Sequence, residues 1–508
     1  MPAAENPIFA QRLLTSFATH ASRTAVEHRG RQIRYAELEE IARRAAGWLQ
    51  AHGLEPGDRV VLVTPDKWPF LQAHLGVQLA GGVSVPLNPQ YTPAELRYFL
   101  TDSGARLVVA GGEQAPTIRA LQHELPELAA VLEIGDGWSP GASPFREPGY
   151  AAGARALMIY SSGTTGQPKG VVHDQANLAA ALESLAATWR ITPADSVVCA
   201  LPLFHIHGLS FATQFALCGG ATLLLEDSFH PRRTLAAVSR ATVFMGVPTF
   251  YYAWLERPEF VEAARDWGHV RLFTCGSAPI RADVLPRLES ILRRPIINRY
   301  GMTEGHVLTS LPLEGPWPHG SVGLPLPGVD VRVVDEQGAG LEAVGSSADG
   351  DHDAATGRVQ VRGGQLFREY WQRPEATAAA WTNGWFDTGD IGRLDQSGFL
   401  TLVGRQHDLI ISSGFNVYPQ VVEAVLNACP GVAEAAVFGV PDARRGERVA
   451  AAVVRGDPQL DEARLREYLS GRLVDYQRPS VWLFVTELPR NALGKVLRGR
   501  LRELAAAE

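Results

Sequence analysis

Apolar residues follow two different spacings along the first 300 residues of the chain. Between residues 35 and 53 they recur at every third or fourth position, which predicts an amphipathic helix. Short runs rich in β-branched residues, such as 59–64 and 105–111, predict buried strands. Further runs of this kind lie at 196–204, 221–226, 241–248 and 270–277. Because helices and buried strands alternate, we predict wound α/β subdomains in this part of the chain.

The pattern changes beyond residue 315. Glycine and proline punctuate short strands at 329–335, 357–363 and 398–404, which predicts a small β-rich subdomain. The interval 340–357 is small, acidic and aperiodic, so we predict an exposed loop there.

A further unit begins near residue 404, where a helix is predicted from Pro419. Its other predicted elements are strands at 434–440, 448–455 and 481–487 and a helix with Leu465, Tyr468, Leu469 and Leu473 at helical spacing. We therefore predict the α/β class with two domains. A large N-terminal domain spans 1–403, and a small α+β C-terminal domain spans 404–508, a size that can fold alone.

Composition excludes several kinds of partner. The net charge is −7 and no basic block is present, so nucleic acid is not expected to bind. No stretch reaches the roughly 20 apolar residues that span a bilayer, and the N-terminus lacks the pattern of a secretion signal, so we expect a cytoplasmic protein. The four cysteines lack C-x-x-C spacing, which favours buried thiols over zinc ligands or disulfides.

Lysine is rare in this chain. Only three of the 47 basic residues are lysines, namely Lys67, Lys169 and Lys495. Where arginine is used so widely, a retained lysine indicates a place that needs a compact point charge. We apply this interpretation to Lys169 and Lys495, which lie in glycine-rich contexts, and interpret Lys67 as chance.

Residues 160–170 read YSSGTTGQPKG, a run of glycine and hydroxyl residues that leads to a lysine. A Walker loop needs G-x-x-x-x-G-K-[ST], whereas Pro168 precedes the lysine here and Gly170 replaces the Ser or Thr. This departure disfavours a P-loop NTPase but still permits a loop that binds a polyphosphate. Its candidate contacts are Ser161, Ser162, Gly163, Thr164, Thr165, Gly166 and Lys169. An ordinary glycine- and serine-rich connector is the alternative.

This run resembles the phosphate loop of the acyl-adenylate-forming superfamily, which includes acyl-CoA synthetases. Four more stretches resemble the family's motifs in order and approximate spacing: RYGMTE at 299–304, WFDTGD at 385–390, VGRQHDLIISSGFNVYP at 403–419 and PRNALGK at 489–495. The resemblance implies that ATP and a carboxylic acid form an acyl-adenylate and pyrophosphate, and that coenzyme A then takes the acyl group. It implies Mg²⁺ as a further cofactor.

The resemblance also implies a role for each matched residue. Lys495 would neutralise the α-phosphate and the carboxylate, as the charge that develops there requires. Glu304 and Thr164 would hold magnesium, and Thr303 would bind a phosphate oxygen. Asp390 and Arg405 are expected at the ribose. The residues expected beside the adenine are Gly276, Ser277, Ala278, Tyr300 and Gly301.

Residues 404–408 lie where the family has the hinge about which the small domain rotates. His407 stands where the family usually has Asp or Lys, and Ser413 stands where Gly is common. Gly414 is retained and is expected, with Ser413, to bind coenzyme A through close approach of pantetheine to the backbone. Arg358 replaces a usual acidic residue, and we interpret it as structural.

The acid is indicated by FHIHGLS at 204–210 and by Arg299 directly before Tyr300, which resemble malonyl-CoA synthetases. In that comparison Arg299 and His207 bind the second carboxylate of the substrate and His205 gates the acyl tunnel. The alternative is that Arg299 braces the core through an ion pair. Residues 305–308 are less polar than that pattern, so methylmalonate, another short dicarboxylate or an aliphatic or aryl acid stays open.

Two other functions stay open. The chain resembles activating domains that load a carrier protein, although the few residues after Lys495 leave no room for a fused carrier domain. A nucleotide-binding protein without catalysis is the other alternative, which the retained Lys495 and Glu304 disfavour. The sequence leaves a homodimer open.

Overall fold

The computed structural model describes residues 8–161, 167–281, 283–342, 356–412, 415–442, 444–490 and 495–507. The helices are α1 Phe9–Thr19, α2 Tyr35–Ala51, α3 Lys67–Leu79, α4 Pro93–Ser103, α5 Gln114–Leu121, α6 Gln175–Trp189, α7 Phe215–Cys218, α8 Pro231–Val238, α9 Pro248–Leu255, α10 Pro258–Ala264, α11 Leu285–Leu292, α12 Pro374–Ala379, α13 Pro419–Asn427, α14 Glu462–Leu469 and α15 Arg498–Ala507. A π-helix covers His207–Gln214, and short 3₁₀ turns lie at Gln122–Glu124, Trp267–His269, Gln406–Asp408 and Asp475–Gln477.

Strands make up four sheets in the described residues. In the first half they are β1 Thr24–His28, β2 Arg31–Arg34, β3 Arg59–Val63, β4 Val83–Pro86, β5 Leu107–Gly111, β6 Ala130–Ile134, β7 Arg155–Ser161, β8 Lys169–Asp174, β9 Ser196–Cys199, β10 Thr222–Leu225, β11 Val243–Gly246 and β12 Leu272–Cys275. In the second half they are β13 Ile296–Met302, β14 His306–Ser310, β15 Leu324–Pro325, β16 Val329–Val334, β17 Gly357–Gly363, β18 Glu369–Tyr370, β19 Trp381–Thr382, β20 Trp385–Leu394, β21 Leu400–Arg405, β22 Ile410–Ser412, β23 Phe415–Val417, β24 Val432–Asp442, β25 Gly446–Arg455 and β26 Val481–Val485.

Two large sheets form the N-terminal part. One has the order β15-β14-β13-β12-β11-β9-β10-β1-β2, and the other has the order β18-β8-β7-β4-β3-β5-β6. Their central strands are parallel, for example β11 beside β12 and β3 beside β5. Strands in such a position are covered on both faces, which explains why β5 and β11 are continuous buried runs. The predicted α/β class is confirmed.

A smaller antiparallel sheet follows, with the order β16-β17-β20-β19 and with β21 beside β20. The last sheet has the order β23-β22-β25-β24, with β26 parallel to β25. Its apolar residues form a separate cluster around Val422, Leu426, Val437 and Leu465. Because this unit has its own core, the observation supports a separate C-terminal domain.

Several local expectations need correction. Strand β9 ends at Cys199, earlier than the apolar run 196–204 indicates. Helix α14 ends at Leu469, because Ser470 is extended and Gly471 has φ +79°, so Leu473 is buried outside the helix. Much of the predicted loop at 340–357 lies outside the described residues.

Lys67, whose retention we interpreted as chance, is buried, and its Nζ atom lies 3.4 Å from the carbonyl oxygen of Cys199. The cysteines are free thiols: Cys199, Cys275 and Cys429 are buried and Cys218 is half-buried. In the part of the chain that the structure covers, no helix is both long and apolar enough to cross a membrane.

We expect Gly323→Ala to destabilise the fold strongly. Gly323 has φ +95°, and an added Cβ would lie 1.9 Å from the carbonyl carbon of Ser310. Backbone atoms cannot yield as a flexible side chain does, so we expect a loss of about 3 kcal/mol or more in the free energy of unfolding. The measurement is the midpoint of urea unfolding, followed by tryptophan fluorescence.

Gly320→Ala is the matched control, because Gly320 also has a positive φ, +74°, but an added Cβ would meet nothing within 4 Å. It should cost only the backbone strain of about 1–2 kcal/mol. Equal losses in the two variants would show that the close approach at Gly323 is unimportant.

Candidate active site

Three hairpins hold most of the candidate residues. The β7–β8 hairpin pairs Ser161 with Lys169 across the ends of its strands. The β13–β14 hairpin carries Thr303 and Glu304 in its turn, and the β20–β21 pair places Asp390 opposite Arg405. Each position is therefore fixed by strand pairing. The candidates Ser162, Gly163, Thr164, Thr165, Gly166, Ser413 and Gly414 lie outside the described residues.

Glu304 is a buried carboxylate, with 8% of its surface exposed. The hydroxyl of Tyr370 donates a hydrogen bond of 3.1 Å to its Oε1 atom, and the backbone N–H of Phe367 donates to its carbonyl oxygen at 2.7 Å. Burial raises the pKa of Glu304, an effect that the Tyr370 hydrogen bond opposes. The Nζ atom of Lys169 lies 5.1 Å from the centre of the Tyr370 ring.

A single carboxylate of this kind suits Mg²⁺. The described residues contain no cluster of three or more His, Cys, Asp and Glu side chains that would form a complete metal cage. Magnesium is commonly held by one or two carboxylates together with substrate phosphates, and Glu304 fits that arrangement. Thr303 is fixed nearby, since its carbonyl oxygen accepts a 2.7 Å hydrogen bond from Nε2 of His173.

Asp390 connects the candidate adenine and ribose residues. The hydroxyl of Tyr300 donates to its Oδ2 atom, and Nε of Arg405 lies 3.2 Å from its Oδ1 atom. Asp390 is only 4% exposed, and Tyr300 is also buried. Because each carboxylate oxygen accepts more than one hydrogen bond, both oxygens retain capacity for hydroxyl groups of a ligand.

Lys495 from the C-terminal unit lies close to this pair. Burial and the nearby charge of Arg405 lower the pKa of Lys495 to about 8, while Asp408 and Asp390 act in the opposite direction. Lys495 is therefore near enough to Asp390 and Arg405 for their charges to interact, although they are distant in sequence. The expected hinge residue His407 has its Nε2 atom 3.4 Å from Asp408, whose other oxygen lies 3.2 Å from Nη1 of Arg498.

Arg299 on β13 is buried, with 4% of its surface exposed. Its Nε and Nη2 atoms have no hydrogen-bond partner among the described residues, and no carboxylate of that part of the chain forms an ion pair with it. Its guanidinium lies 4.9 Å from the centre of the Phe211 ring. Burial lowers the pKa of Arg299 to about 10, so the group is still charged at neutral pH.

The space for this guanidinium depends on Gly276. A Cβ atom at that position would lie 2.5 Å from Cζ of Arg299. Gly276 therefore has a close neighbour in Arg299, in addition to the adenine contact that the resemblance implies. The ion-pair alternative for Arg299 finds no support in the described residues, where its guanidinium lies against Gly276 and the ring of Phe211 and pairs with no carboxylate.

Two histidines stand beside Arg299. The Nδ1 atom of His207 lies 3.1 Å from Oγ of Ser277, and its Nε2 atom is buried without a partner in the described parts of the chain. Burial and the charge of Arg299 lower the pKa of His205 to about 4 and that of His207 well below its usual value. Both rings are therefore neutral at pH 7. His207 begins the π-helix, an element that is rare and often lies at functional sites.

Sequence reasoning missed two residues of this site. Phe211, one turn after His207, lies under Arg299, and the helical spacing from His207 could have indicated it. Tyr370 contacts both Glu304 and Lys169, but nothing in its local sequence signals this position. The interpretation of Arg358 as structural is supported, since its guanidinium pairs with Asp387.

The geometry suits a class of two-domain enzymes that activate an acid with a nucleotide. A family model described as AMP-binding enzyme matches residues 13–371, and a model described as AMP-binding enzyme C-terminal domain matches residues 421–495. The chain belongs to the AMP-binding enzyme family, within its acyl-CoA synthetases.

Known proteins resemble the chain over nearly its whole length. The structure of ATP-bound MatB from Rhodopseudomonas palustris matches with a TM-score of 0.91 and 39% identity, covering 97% of this chain and 98% of that one. Feruloyl-CoA synthase from Amycolatopsis is 35% identical over 496 residues, covering 94% of this chain and 95% of the relative. The long-chain-fatty-acid–CoA ligase FadD13 from Mycobacterium tuberculosis is 33% identical over 488 residues, covering 94% of each chain.

We expect the reaction that consumes ATP to weaken above pH 8. In the absence of nucleotide, burial lowers the pKa of Lys495 to about 8, so its positive charge is present below that pH and is lost as the pH rises through it. If Lys495 neutralises a phosphate, kcat/KM for ATP should fall about tenfold per pH unit on the alkaline side. The measurement is acid-dependent ATP–pyrophosphate exchange between pH 6 and 9.5.

Lys495→Arg is the informative control. Its guanidinium keeps its charge across this range, so the alkaline fall should move to higher pH even if the rate is lower. A wild-type profile that is flat to pH 9.5 would contradict the role given to Lys495.

Proposed function

We propose that this chain is an ATP-dependent acid:CoA ligase whose acid is malonate or another short dicarboxylate. One observation carries the choice of acid: the guanidinium of Arg299 is buried and charged, yet two of its nitrogen atoms have no partner in the described residues. The similarity to ATP-bound MatB and to two CoA ligases supports the use of ATP and coenzyme A.

Burial of an unpaired charge is costly, with an effective penalty of several kcal/mol per ion. The interaction with the Phe211 ring offsets only part of this cost, since a cation–π contact is worth about 0.5–2 kcal/mol. A second carboxylate on the substrate would supply the missing negative charge and could bind the guanidinium through two hydrogen bonds. Arg299 is therefore better suited to a ligand than to the stability of the empty protein.

His207 supports the same interpretation. If the hydroxyl of Ser277 donates to Nδ1 of His207, the single N–H proton of the neutral ring is on Nε2, which has no partner among the described residues. An N–H group in this position can donate to a carboxylate oxygen. Because the ring is neutral, the acid's charge would be balanced by Arg299 alone.

The other residues divide the work as follows in this proposal. Lys169 and residues 161–166 bind the β- and γ-phosphates, and Lys495 neutralises the α-phosphate and the reacting carboxylate. Magnesium, when bound, neutralises charge on the phosphate oxygens, and Glu304 would hold it. Asp390 and Arg405 hold the ribose, and Tyr300 packs along the adenine.

A monocarboxylic acid is the second candidate. The named relatives act on ferulate and on long-chain fatty acids, and Val307 and Leu308 are fully buried apolar residues beside the site turn. A site for such an acid would need apolar surface where Arg299 presents a charge. We therefore rank it second.

The boundary between domains at 403 and 404, the hinge at His407 and the coenzyme A contact at Ser413 and Gly414 belong to the same proposal. Magnesium, a cytoplasmic location and a homodimer also stay predictions. A carrier protein as the thiol acceptor is tested by replacing coenzyme A with a carrier protein in the assay.

Arg299→Gln should impair dicarboxylates selectively. The loss of a charged hydrogen bond to a buried acceptor costs about 1.5–3 kcal/mol, so kcat/KM for malonate should fall about ten- to a hundredfold or more. Butyrate, which has no second carboxylate, should be unaffected or should improve. The measurement is pyrophosphate release with malonate, methylmalonate, butyrate and benzoate.

Arg332→Ala is the control, because Arg332 is a half-buried arginine that bonds to Gln360 in the β-rich sheet, away from these residues. Equal losses for malonate and butyrate in Arg299→Gln would show that Arg299 is structural. Absence of pyrophosphate release with every acid would contradict the ligase itself.

Lys495→Ala should separate the two half-reactions. Removal of a charge placed for the transition state typically lowers the rate about 10²- to 10³-fold, so adenylation should fall by at least that much. Thioester formation from a supplied acyl-adenylate and coenzyme A should be retained, because that step transfers no phosphate. Equal loss of both steps would show that Lys495 does not act on the phosphate.

A further inference from the structure

We propose that Tyr370 is a positioning residue that fixes Glu304 and Lys169 relative to each other and thereby couples the binding of a divalent cation to the binding of the nucleotide phosphates. The inference rests on the proposed function, which assigns the cation to Glu304 and the phosphates to Lys169. Tyr370 itself lies outside the motifs that the sequence singled out.

The hydroxyl of Tyr370 acts on the carboxylate. It donates a 3.1 Å hydrogen bond to Oε1 of Glu304, and both side chains are buried. A buried carboxylate that accepts such a bond is held in one orientation, because rotation would leave the hydroxyl unsatisfied. The remaining lone pairs of the carboxylate can still bind a cation. The hydroxyl therefore fixes the orientation of the carboxylate and leaves it able to bind a cation.

The ring of Tyr370 acts on the lysine. The Nζ atom of Lys169 lies 5.1 Å from the ring centre, within the range of a cation–π interaction. Lys169 is the first residue of β8, directly after the phosphate loop, so its flexible side chain needs an external support. The aromatic face supplies that support while the ammonium keeps its hydrogen-bond donors for a phosphate.

Backbone contacts fix Tyr370 to both partners at once. Strand β18 pairs with β8, with Tyr370 opposite Val171, and the N–H of Trp371 donates to the carbonyl of Gly170 at 2.7 Å. On the other side, the N–H of Phe367 donates to the carbonyl of Glu304 at 2.7 Å. One short segment is therefore bonded to the strand of Lys169 and to the turn of Glu304.

The side chain of Trp371 strengthens this attachment. Its Nε1 atom donates to the carbonyl of Asp102 at 3.0 Å, and the guanidinium groups of Arg59 and Arg155 each lie 5.3 Å from its ring. The segment is thus anchored to the N-terminal sheet, and Tyr370 has little freedom to follow a movement of only one partner. A cation at Glu304 and a phosphate at Lys169 should then favour each other's binding.

Two substitutions separate the two functions of the side chain. Tyr370→Phe removes the hydroxyl and keeps the ring, whereas Tyr370→Leu removes both. The measurement is the affinity for ATP by isothermal titration calorimetry, once with excess Mg²⁺ and once with EDTA. Binding measured in this way does not require the enzyme to turn over. Tyr370→Phe should weaken binding about tenfold or more with Mg²⁺ and leave binding in EDTA unchanged. Tyr370→Leu should weaken binding under both conditions, by several-fold in EDTA.

A double-mutant cycle tests whether the hydroxyl acts through Glu304. Glu304→Gln alone should lose most of the Mg²⁺-dependent affinity, and adding Tyr370→Phe should then cause no further loss. Tyr150→Phe is the matched control, since Tyr150 is a half-buried tyrosine whose hydroxyl donates to the carbonyl of Leu79. It should bind ATP as the wild type does under both conditions.

The proposal is overturned if Mg²⁺ increases the ATP affinity of Tyr370→Phe as much as that of the wild type. It is also overturned if Tyr370→Phe loses the same affinity in EDTA as in Mg²⁺ and this loss adds fully to that of Glu304→Gln. Thermal unfolding of each variant shows whether it is folded. If Tyr370→Leu is unfolded, the ATP affinities of Tyr370→Phe alone test the proposal. A wild-type protein that does not bind ATP with Mg²⁺ would contradict the proposed function instead. The two failures are therefore distinguishable.

Discussion

Removal of charged groups from water is the constraint around which this site is built. Arg299, Glu304 and Asp390 are each almost fully buried, and each would cost several kcal/mol without compensation. Their surroundings differ, and the difference indicates what each group does. Asp390 is satisfied by Tyr300 and Arg405, whereas Arg299 has an aromatic face and two nitrogen atoms without partners among the described residues. The Asp390 carboxylate is held in a fixed geometry and retains lone pairs for further hydrogen bonds, whereas the Arg299 guanidinium favours an anion.

The neutral histidines follow from the same constraint. A positive charge on His205 or His207 would be buried beside the charge of Arg299, which is why burial and that neighbour both lower the pKa values of the two histidines. This region therefore combines the charged guanidinium of Arg299 with two neutral rings whose nitrogens can donate or accept a hydrogen bond. Such a region attracts a negative charge and repels a second positive one.

The fold followed from the apolar pattern wherever strands are parallel and buried, as at β3, β5 and β11, because both of their faces require apolar residues. The ends of elements were less predictable. Helix α14 stops at Leu469 through local backbone conformation at Gly471, although apolar spacing continues to Leu473. Periodicity reports which face is buried but contains little information about where a helix ends.

The scarcity of lysine singled out Lys169 and Lys495, whereas the roles expected of Lys169, Glu304, Asp390 and Lys495 came from the family resemblance. Their convergence was implied by it too and could not be derived from spacing. Tyr370 and the environment of Lys67 were not predictable, because each depends on contacts between distant segments. Tyr370 reaches Glu304 only because a two-residue strand adds to the edge of a sheet, and such a short pairing leaves no periodic signal.

The charge of Lys495 depends on residues of strands β20 and β21. Arg405 lowers the pKa of Lys495 and Asp390 raises it, and these two residues also form an ion pair with each other. A ligand that binds to Asp390 or Arg405 therefore changes the field at Lys495, and a phosphate beside Lys495 would favour its charged form. Asp408, which also favours the charged form of Lys495, forms an ion pair with Arg498 of the C-terminal helix. The Asp390–Arg405 pair and Asp408 thus act together on the charge of Lys495.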